Sequence, residues 1–403
     1  MTTPPAAPTA DELRNQLVDS LLTYRKMSPA VEEAMRTVPR EAHLPGVRLK
    51  KAYANEAITI KDNPTGPQPL SCASVPSVVA LMLEQLDIHP GDHIQEIGAG
   101  TGYNAALLAH LTGPTGEVTT IDIDADVTAH ARTALDATGH HRIHVVTRDG
   151  AEGAPEYAPY QRMTATVGVW DIPGPWWEQL TDGGRLVLPL RWRGQTRSVA
   201  FTRHGDRMVS DSVELCGFVP MIGQDGEKQG SVDKDGHITL YWDADQPINP
   251  AALSGLTDAP FTAVWTDATV GGEESFDGIW LRLTATDPAT CRIETKPEAV
   301  EAGLRRPAIP SRTPALVEGD SMAYLILDRV TQPGAPLHRL GAIGYGPAGE
   351  DLARRLCAQI TAWSLQRAAR PTITAYPAGT SDDQLTEGFV IDKPSVRLAL
   401  AYP

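Results

Sequence analysis

The sequence has few cysteines and no excess of basic residues. Only Cys72, Cys216, Cys291 and Cys357 occur among 403 residues, and they form no CxxC pair. This scarcity argues against a zinc site or a disulfide framework and fits a protein of the reducing cytoplasm. The formal net charge of -15 argues against a nucleic-acid partner, because binding to phosphates needs a basic face.

Long hydrophobic runs are also absent. No apolar stretch is long enough to cross a bilayer, so we expect no membrane partner. The first ten residues, MTTPPAAPTA, have neither the basic start nor the apolar stretch of a signal peptide, and we expect a loose tail over residues 1–8. With 41% hydrophobic residues, the chain can still build a sizeable core, and its length favours two or three domains.

Helices and strands alternate through the first half of the chain. Thr9-Ala10-Asp11-Glu12 is a capping box that predicts a first helix, and Ser28-Pro29 predicts the start of a second. Alternation of this kind predicts an α/β fold with a doubly wound, mostly parallel sheet. The later helices that we expect lie over 79–86 and 103–111, and a third follows the strand over 118–123 and ends near residue 137. The strands that we expect lie over 93–97, 118–123, 143–146, 163–170 and 185–190.

The second half of the chain is less regular. We divide the sequence into N-terminal helices and a substrate-side segment (9–74), a core (75–223), a polar linker or loop (224–236) and an added α+β domain (237–403), which we expect to bind a peptide. In that domain we expect strands over 239–242, 279–283 and 323–327 and a helix over 350–369. The glycine-rich segment 341–347 does not end in the Lys-Ser/Thr pair of a phosphate-binding loop. We therefore expect it to be a junction of strand, turn and helix.

A glycine loop lies between the strand over 93–97 and the helix that follows it. It reads Glu96-Ile97-Gly98-Ala99-Gly100-Thr101-Gly102, and three glycines let backbone approach a ligand closely. The spacing is GxGxG, whereas a dinucleotide site has GxGxxG, so a nucleoside without pyrophosphate is favoured. A plain turn could carry the same glycines.

Two acidic residues follow the next two strands. A carboxylate at Asp122 can accept hydrogen bonds from both ribose hydroxyls, and one at Asp149, before Gly150, can accept from an adenine amino group. Each Asp alone would more often be a helix cap or a turn former. The order of the loop and the two acids on three successive strands predicts S-adenosylmethionine as the cofactor.

Several blocks over about residues 30–223 resemble the protein-L-isoaspartate O-methyltransferase family. The segment 74–82 (SVPSVVALM) resembles the family's SQPYIVALM, and 180–189 (LTDGGRLVLP) resembles its LKPGGRLVIP. Generic methyltransferases share only the glycine loop and the acids. The other matching blocks are Ala34-Met35, Val38-Pro39-Arg40, Ala52-Tyr53, Pro90-Gly91-Asp92, 96–103, Asp149-Gly150, Ala158-Pro159-Tyr160 and Phe218-Val219-Pro220.

The resemblance implies a class I methyltransferase fold, no metal, and a peptide or protein substrate carrying aspartate or isoaspartate. It implies that Ser74 is catalytic and lies between the methyl donor and the acceptor carboxylate, although a helix N-cap before Pro76 explains Ser74 equally well. The residues that would bind the cofactor are Glu96, Gly98, Ala99, Gly100, Thr101, Gly102, Asp122, Ile123, Asp149 and Gly150. Those that would bind the substrate are Ser71, Cys72, Ala73, Ser74, Val75, Trp170, Phe218, Val219 and Pro220.

The chemistry that the family implies needs few specialised groups. An acceptor carboxylate is already ionised near pH 7, so methyl transfer needs no general base. The protein must hold the acceptor oxygen, the methyl group and the sulfur in line. This agrees with a sequence in which we find neither a catalytic triad nor a metal-binding cluster.

The sequence departs from the family in two respects. The family's GQTIS block is replaced by residues 70–74 (LSCAS), and its VTAAAP block by residues 167–173 (VGVWDIP). The chain also adds about 180 residues after the point where the ordinary repair enzyme would end. The whole layout resembles a longer branch associated with ribosomally made, cyclised peptides such as lanthipeptides, graspetides and lasso peptides, which methylates an ordinary Asp and yields aspartimide or isoaspartate.

Three alternatives stay open at this point. The first is general repair of isoaspartate in proteins. The second is a binding protein that has lost catalysis, which the intact glycine loop, Asp122 and Asp149 disfavour. The third is a methyltransferase for a small molecule or a nucleic acid, which the family blocks disfavour.

Overall fold

The computed structural model describes residues 7–64, 69–330 and 337–403 and divides into two compact units. The first unit comprises the chain up to Leu190 together with Arg197–Ile222, and the second comprises Arg191–Thr196 and Gly223–Pro403. The main boundary was expected after residue 223, and the membership of Arg191–Thr196 in the second unit was not predicted. The first six residues of the expected tail lie outside the described residues.

The N-terminal part of the first unit consists of short elements. Helix α1 (Ala10–Leu22) begins at the expected capping box, in which the Thr9 side chain accepts from the Glu12 amide and the Glu12 side chain accepts from the Thr9 amide. Helix α2 (Pro29–Thr37) begins after the Ser28 N-cap, also as expected. Helix α3 and an antiparallel strand pair follow, at α3 (Leu49–Ala52), β1 (Ile58–Lys61) and β2 (Ser71–Ala73).

The rest of the first unit is the alternating α/β core. Its strands lie in the order β9-β8-β7-β6-β3-β4-β5; β7, β6, β3, β4 and β5 pair in parallel, and β8 pairs antiparallel with β9. The expected fold class is confirmed. The elements are α4 (Pro76–Leu86), β3 (His93–Ile97), α5 (Tyr103–Thr112), β4 (Glu117–Asp122), α6 (Ala125–Ala137), β5 (His144–Thr147), β6 (Tyr160–Ala165), α7 (Gly174–Gln179), β7 (Leu180–Trp192), β8 (Gln195–His204) and β9 (Arg207–Leu215).

Helix α5 explains why the N-terminal helices are needed. Ala105, Ala106, Leu107 and Leu108 are all fully buried, so the middle of α5 is buried around its whole circumference. It contacts β4 of the sheet and also α2. Each fully buried leucine contributes about 1.5–3 kcal/mol, and much of this burial depends on the cover that α2 provides.

One expected strand of the core is too long. The strand expected over 163–170 ends at Ala165, and Gly168 and Val169 form only isolated bridges with Pro220 and Leu190. The Gly168 amide donates to the Val219 carbonyl over 2.7 Å. The apolar character of this segment therefore reflects packing between two chain segments and not membership of the central sheet.

The second unit is an α+β fold around a seven-stranded antiparallel sheet. Its strand order is β10-β11-β13-β14-β15-β16-β12, and a further strand set has the order β18-β19-β17. The strands are β10 (Glu227–Ser231), β11 (Ile238–Asp243), β12 (Phe261–Gly271), β13 (Thr290–Thr295), β14 (Thr313–Glu318), β15 (Ser321–Val330), β16 (Leu337–Tyr345), β17 (Thr372–Pro377), β18 (Phe389–Asp392) and β19 (Val396–Ala401). The helices are α8 (Asp277–Leu283), α9 (Pro297–Glu301) and α10 (Gly349–Leu365).

Short 3-10 helices complete the described structure. Those of the first unit are Arg40–His43, Gly150–Glu152 and Pro155–Tyr157; those of the second are Pro250–Leu253, Leu256–Asp258 and Asp382–Gln384. No helix in the described part of the chain is long and apolar enough to cross a membrane.

Two faces of the seven-stranded sheet carry separate cores. Alternate residues of each strand point to opposite faces, so Ala323 and Leu325 lie in one core while Tyr324 and Ile326 lie in the other. Helix α10 covers the first face with a stripe of buried residues at helical spacing. The stripe consists of Leu352, Leu356, Ile360 and Trp363. The helix expected over 350–369 is thus present, although it ends at Leu365.

Two expectations for the second unit are wrong in detail. The strand expected over 279–283 is helix α8, because a short apolar run buried on several sides gives no usable periodicity. The linker or loop expected over 224–236 contains strand β10, which pairs with β11 along its whole length. The strand-turn-helix junction expected over 341–347 is present between β16 and α10.

That junction gives a stability prediction. A Cβ atom at Gly344 would lie 1.9 Å from the Gly349 carbonyl oxygen, which is backbone that cannot rotate away. We expect Gly344→Ala to lower the free energy of unfolding by about 3 kcal/mol, measured by chemical denaturation. Gly271→Ala is the matched control on β12, because its nearest neighbour would be the Glu274 Cβ at 4.0 Å. Equal stability of the two variants would contradict this account.

Candidate active site

The glycine loop is fixed to the neighbouring strand by its backbone. The amides of Gly98 and Ala99 both donate to the Ile121 carbonyl of β4, over 2.7 and 3.0 Å. Gly98 has a φ of +100° and a Cβ there would lie 2.5 Å from the Thr166 Oγ1, so only glycine fits. The Thr166 hydroxyl donates to the Gly98 carbonyl over 2.7 Å and holds the loop from the side of β6.

Gly100 occupies a different environment. Its φ is +52°, its amide donates to Asp122 Oδ2 over 3.3 Å, and the atom nearest to an added Cβ would be the Cys72 carbonyl oxygen at 3.9 Å. A side chain at Gly100 would therefore project into open space. That space belongs to two adjoining cavities, which share Cys72, Gly98, Gly100 and Thr166 in their walls.

The first cavity, here the Asp122 cavity, encloses about 620 Å³ and is partly open to solvent. It contains the carboxylates expected after β4 and β5. Ten expected site residues line it, namely Ser71, Cys72, Gly98, Gly100, Asp122, Ile123, Asp149, Gly150, Val219 and Pro220. The other lining residues are Leu70, Ile97, Ile121, Thr166, Val167, Met221 and Ile222.

The two carboxylates of this cavity are held by backbone amides. Asp122 Oδ1 accepts from the Asp124 amide over 3.1 Å, and burial of the Asp122 side chain raises its pKa. Asp149 Oδ1 accepts from the Ala151 amide over 2.9 Å and caps a 3-10 helix. Asp149 is thus a helix cap and Asp122 accepts from a turn amide, as their residue type alone would suggest, and both also line the cavity.

The rim of the Asp122 cavity is apolar. Leu70, Ile123 and Ile222 are 37, 45 and 51% exposed, and all three line the cavity. Exposed large hydrophobic side chains collected at one cavity mark a binding surface for an apolar ring or chain. The segment that carries Ile222 is fixed by two backbone bonds between Gly168 and the residues Val219 and Met221.

The second cavity, here the Arg40 cavity, has a volume of about 560 Å³, part of it open to solvent, between α4, the glycine loop and the start of α5. Its walls combine apolar side chains with a buried guanidinium and a buried carboxyl group. Nine expected residues line it, namely Cys72, Ala73, Ser74, Glu96, Gly98, Ala99, Gly100, Thr101 and Phe218. The remaining lining residues are Arg40, Val79, Met82, Leu83, Leu86, Tyr103, Asn104, Thr164 and Thr166.

Ser74 lines the Arg40 cavity and does not cap helix α4. The N-cap of α4 is Val75, and no side chain caps this end, so the capping explanation of Ser74 is wrong. The Ser74 carbonyl instead accepts from Arg40 Nη2 over 2.9 Å. The loop that carries Ser74 is therefore tied to Arg40.

Glu96 is fully buried at the base of the same cavity. Its carboxyl group accepts from Asn104 Nδ2 over 2.8 Å and from Thr120 Oγ1 over 2.6 Å. Burial raises the pKa of Glu96 to about 7, although these two hydrogen bonds oppose the rise. The carboxyl group can thus bind a cation or hold a proton near neutral pH.

Three expected residues line neither cavity. Gly102 begins α5 with a φ of +79°, and a Cβ there would lie 3.1 Å from the Ala131 carbonyl oxygen of α6, so this glycine allows two helices to pack. Val75 is the N-cap of α4. Trp170 is buried, with 7% of its surface exposed.

Four polar groups at the site were not predicted from the sequence. Arg40, Asn104 and Thr166 line the cavities, and His43 lies behind the glycine loop with its Nδ1 3.2 Å from the Thr101 carbonyl oxygen. Arg40 belongs to the VPR block, which was the only available signal for it. No group of three or more His, Cys, Asp or Glu side chains that could hold a metal ion occurs in the ranges 7–64, 69–330 and 337–403.

The parallel strand order, the glycine loop after β3 and the acidic residue that ends β4 together define a class I methyltransferase that uses S-adenosylmethionine. A family model described as Protein-L-isoaspartate(D-aspartate) O-methyltransferase (PCMT) matches residues 12–226, which is more than half of the chain. The chain therefore belongs to that family.

Individual proteins agree with this assignment. The chain is 39% identical over 227 residues to a Protein-L-isoaspartate O-methyltransferase from Methanoregula boonei, covering 56% of this chain and 99% of the relative. It is 35% identical over 233 residues to one from Hyperthermus butylicus, covering 55% of this chain and 93% of the relative.

Solved structures of similar proteins were also found. One described as a protein-L-isoaspartate O-methyltransferase has 20% identity and a TM-score of 0.49, covering 90% of this chain and 96% of that chain. A Plasmodium falciparum beta-aspartate methyltransferase, in complex with S-adenosyl-L-homocysteine, has 15% identity and a TM-score of 0.45, covering 52% of this chain and 99% of that chain.

The environment of His43 gives a prediction about pH. His43 is fully buried, and burial lowers its pKa to about 4, below the usual value near 6.5. The unfolded chain therefore binds a proton at His43 between these two pH values while the folded chain does not. This group should make the free energy of unfolding fall by up to about 3 kcal/mol as the pH falls from 6.5 to 4.

The measurement is the difference between the wild type and His43→Gln in chemical denaturation across that pH range. The wild type alone is not sufficient, because the raised pKa of Glu96 makes the free energy of unfolding rise as the pH falls from about 7 to 4.5. The difference between the two proteins removes that contribution. His204→Gln on the surface is the control and should keep the wild-type pH dependence. If His43→Gln keeps it as well, His43 is not the group responsible.

Proposed function

We propose that this methyltransferase transfers a methyl group to the side-chain carboxylate of an aspartate in a modified, cyclised ribosomal peptide. The observation that carries the carboxyl chemistry is the meeting of two cavities at Gly100. One contains Asp122 and Asp149, and the other contains Ser74 and Arg40. This arrangement suits a donor in one cavity that points its methyl group towards an acceptor held by the other.

The Asp122 cavity fits the adenosine part of the cofactor. Asp122 offers carboxylate oxygens to ribose hydroxyls, and Asp149 offers one to an adenine amino group. Ile123 and Ile222 supply apolar surface for the ring. Gly100 leaves space that a side chain would fill. When bound, S-adenosylmethionine supplies an electrophilic methyl group on a positively charged sulfur.

The acceptor side has the few groups that this chemistry requires. A carboxylate is already ionised near neutral pH, so no side chain needs to remove a proton. The task of Ser74 and the backbone of residues 71–75 is to orient one carboxylate oxygen along the line of transfer. A hydroxyl donor at Ser74 can hold that carboxylate without permanently neutralising it.

The methyl ester then reacts without further help from the enzyme. The backbone nitrogen that follows the esterified residue attacks the ester carbonyl, the C–O bond to methoxide breaks, and methanol leaves with the nitrogen's proton. The product is a five-membered aspartimide. Water adds to either of its carbonyl groups and opens the ring to aspartate or isoaspartate.

The second unit supports the choice of a dedicated peptide as acceptor. The two curated relatives above match along 93–99% of their own lengths, yet they cover only 55–56% of this chain. The family match ends at residue 226, so nearly all of the second unit lies beyond it. A unit that grips one peptide would raise its effective concentration at the active site.

General repair of damaged proteins is the second candidate, and the names of the curated relatives favour it. A repair enzyme acts on isoaspartate in many sequence contexts, whereas a tailoring enzyme acts on an ordinary aspartate in one precursor. The two candidates therefore differ in acceptor and not in chemistry.

The deciding experiment offers both acceptors to the full chain with methyl-labelled S-adenosylmethionine. We expect transfer to an Asp of a cyclised ribosomal precursor and little transfer to short isoaspartyl peptides. Aspartimide formation then releases the labelled methyl group as methanol and leaves the precursor about 18 mass units lighter than before the reaction. The linear form of the same precursor is the control. Strong labelling of the isoaspartyl peptides and none of the precursor would establish repair instead.

The proposed roles of Asp122 and Ser74 can be separated by two variants. Asp122→Ala should weaken binding of S-adenosylhomocysteine by about 1–3 kcal/mol, because ribose hydroxyls lose their acceptor. Ser74→Ala should lower kcat on the order of tenfold with little effect on that affinity. Calorimetry and initial rates measure the two effects.

The controls are Asp126→Ala and Ser77→Ala, which change exposed or half-buried residues that line neither cavity. Both should behave as the wild type. Unchanged turnover in Ser74→Ala would remove Ser74 from the mechanism, and unchanged cofactor affinity in Asp122→Ala would remove Asp122 from the cofactor site.

A further inference from the structure

Arg40 is a buried cation without a carboxylate partner. Its side chain is among the largest that are fully buried, with 1% of the residue exposed. Within the described ranges no acidic side chain forms an ion pair with it. Burying a guanidinium in this way costs several kcal/mol unless an anion or several hydrogen bonds offset the loss of water.

The protein offsets only part of that cost. Arg40 Nε donates to the Ala52 carbonyl over 3.0 Å, and Nη2 donates to the Ser74 carbonyl over 2.9 Å. The guanidinium also lies 5.1 Å from the centre of the Tyr103 ring. A guanidinium has five N–H donors, so these two hydrogen bonds leave three of them for another acceptor.

Neighbouring carboxyl groups are already engaged elsewhere. Glu41, the next residue in the chain, accepts from the Tyr53 hydroxyl. Glu96, across the same cavity, accepts from Asn104 and Thr120 and stays outside ion-pair distance of Arg40. Burial lowers the pKa of Arg40, but an arginine stays protonated at any physiological pH.

From these contacts we propose that Arg40 binds a carboxylate group inside the Arg40 cavity. Arg40 and Ser74 both line this cavity, so a carboxylate bound there would meet one full positive charge. A planar guanidinium suits two parallel hydrogen bonds to one carboxylate. The inference rests on the proposed function, because that function brings carboxylate groups into this cavity.

Two carboxylates could occupy the site, and the chemistry is the same for both. One belongs to the amino-acid end of the cofactor, and the other belongs to the acceptor peptide. Arg40 would also act as a positioning residue in either case, because the guanidinium that binds the carboxylate holds the Ser74 backbone. Binding of the anion and placement of Ser74 would then be coupled.

The test compares two nucleosides, of which only one carries the amino-acid end of the cofactor with its carboxylate. S-adenosylhomocysteine carries the amino-acid end, whereas 5′-methylthioadenosine lacks it. We expect Arg40→Gln to weaken binding of S-adenosylhomocysteine about tenfold or more in calorimetry and to leave binding of 5′-methylthioadenosine unchanged, if the cofactor supplies the carboxylate. The ratio of the two affinities in one sample does not depend on the fraction of folded protein.

If the acceptor supplies the carboxylate, both nucleosides should bind Arg40→Gln as they bind the wild type. The KM for the acceptor peptide should then rise about tenfold or more, while kcat at saturating peptide changes less. Arg40→Lys keeps the positive charge but loses the planar set of donors. It should therefore change the affected quantity, either the affinity for S-adenosylhomocysteine or the KM for the peptide, by less than Arg40→Gln does. It also serves as the second variant if Arg40→Gln does not fold.

Arg36→Gln is the matched control. It lies four residues earlier, and its guanidinium already has the carboxylates of Asp19 and Glu32 as partners. It should match the wild type in both nucleoside affinities and in the KM for the peptide. The role of Arg40 would be overturned if Arg40→Gln lost affinity equally for both nucleosides, or if neither the affinities nor the KM changed. Failure of the wild type to bind S-adenosylhomocysteine would instead overturn the proposed function and this inference with it.

Discussion

Two backbone amides share one acceptor at the centre of the first unit, since Gly98 and Ala99 both donate to the Ile121 carbonyl. This contact holds the turn after β3 against the end of β4, one residue before Asp122. It forces positive φ at Gly98, where a side chain would collide with Thr166. The glycine loop, which lines both cavities, is held beside the Asp122 carboxylate by this contact.

The same region shows how the protein offsets the cost of buried charge. Glu96 keeps two hydrogen-bond donors and a raised pKa, so it can be neutral when nothing is bound. Arg40 cannot become neutral, and it is stabilised by two backbone carbonyls and the face of Tyr103. We propose that a carboxylate supplies the partner that Arg40 lacks, and the proposed reaction brings carboxylates to this cavity. The loop of Ser74 is fixed by the group that would bind that anion.

Local signals in the sequence were sufficient for much of the fold. The capping box at Thr9, the Ser28-Pro29 start and the alternating elements after residue 75 are each encoded within a few neighbouring residues. Where an element depends on its partners, the local signal failed. The run Ile279–Leu283 is helical because it is buried against α10, and β10 is a strand because β11 pairs with it.

By itself the sequence determined the kind of site: a glycine loop and two acids on successive strands, with blocks that matched one methyltransferase family. Tertiary structure decided which of those residues meet. It placed Ser74 on a cavity and not at a helix cap, and it assigned Gly102 to helix packing. It also brought Arg40 from a distant segment beside Ser74. The physical reason is that spacing along the chain encodes local hydrogen bonds, whereas burial and unpaired charge arise only when separate segments pack together.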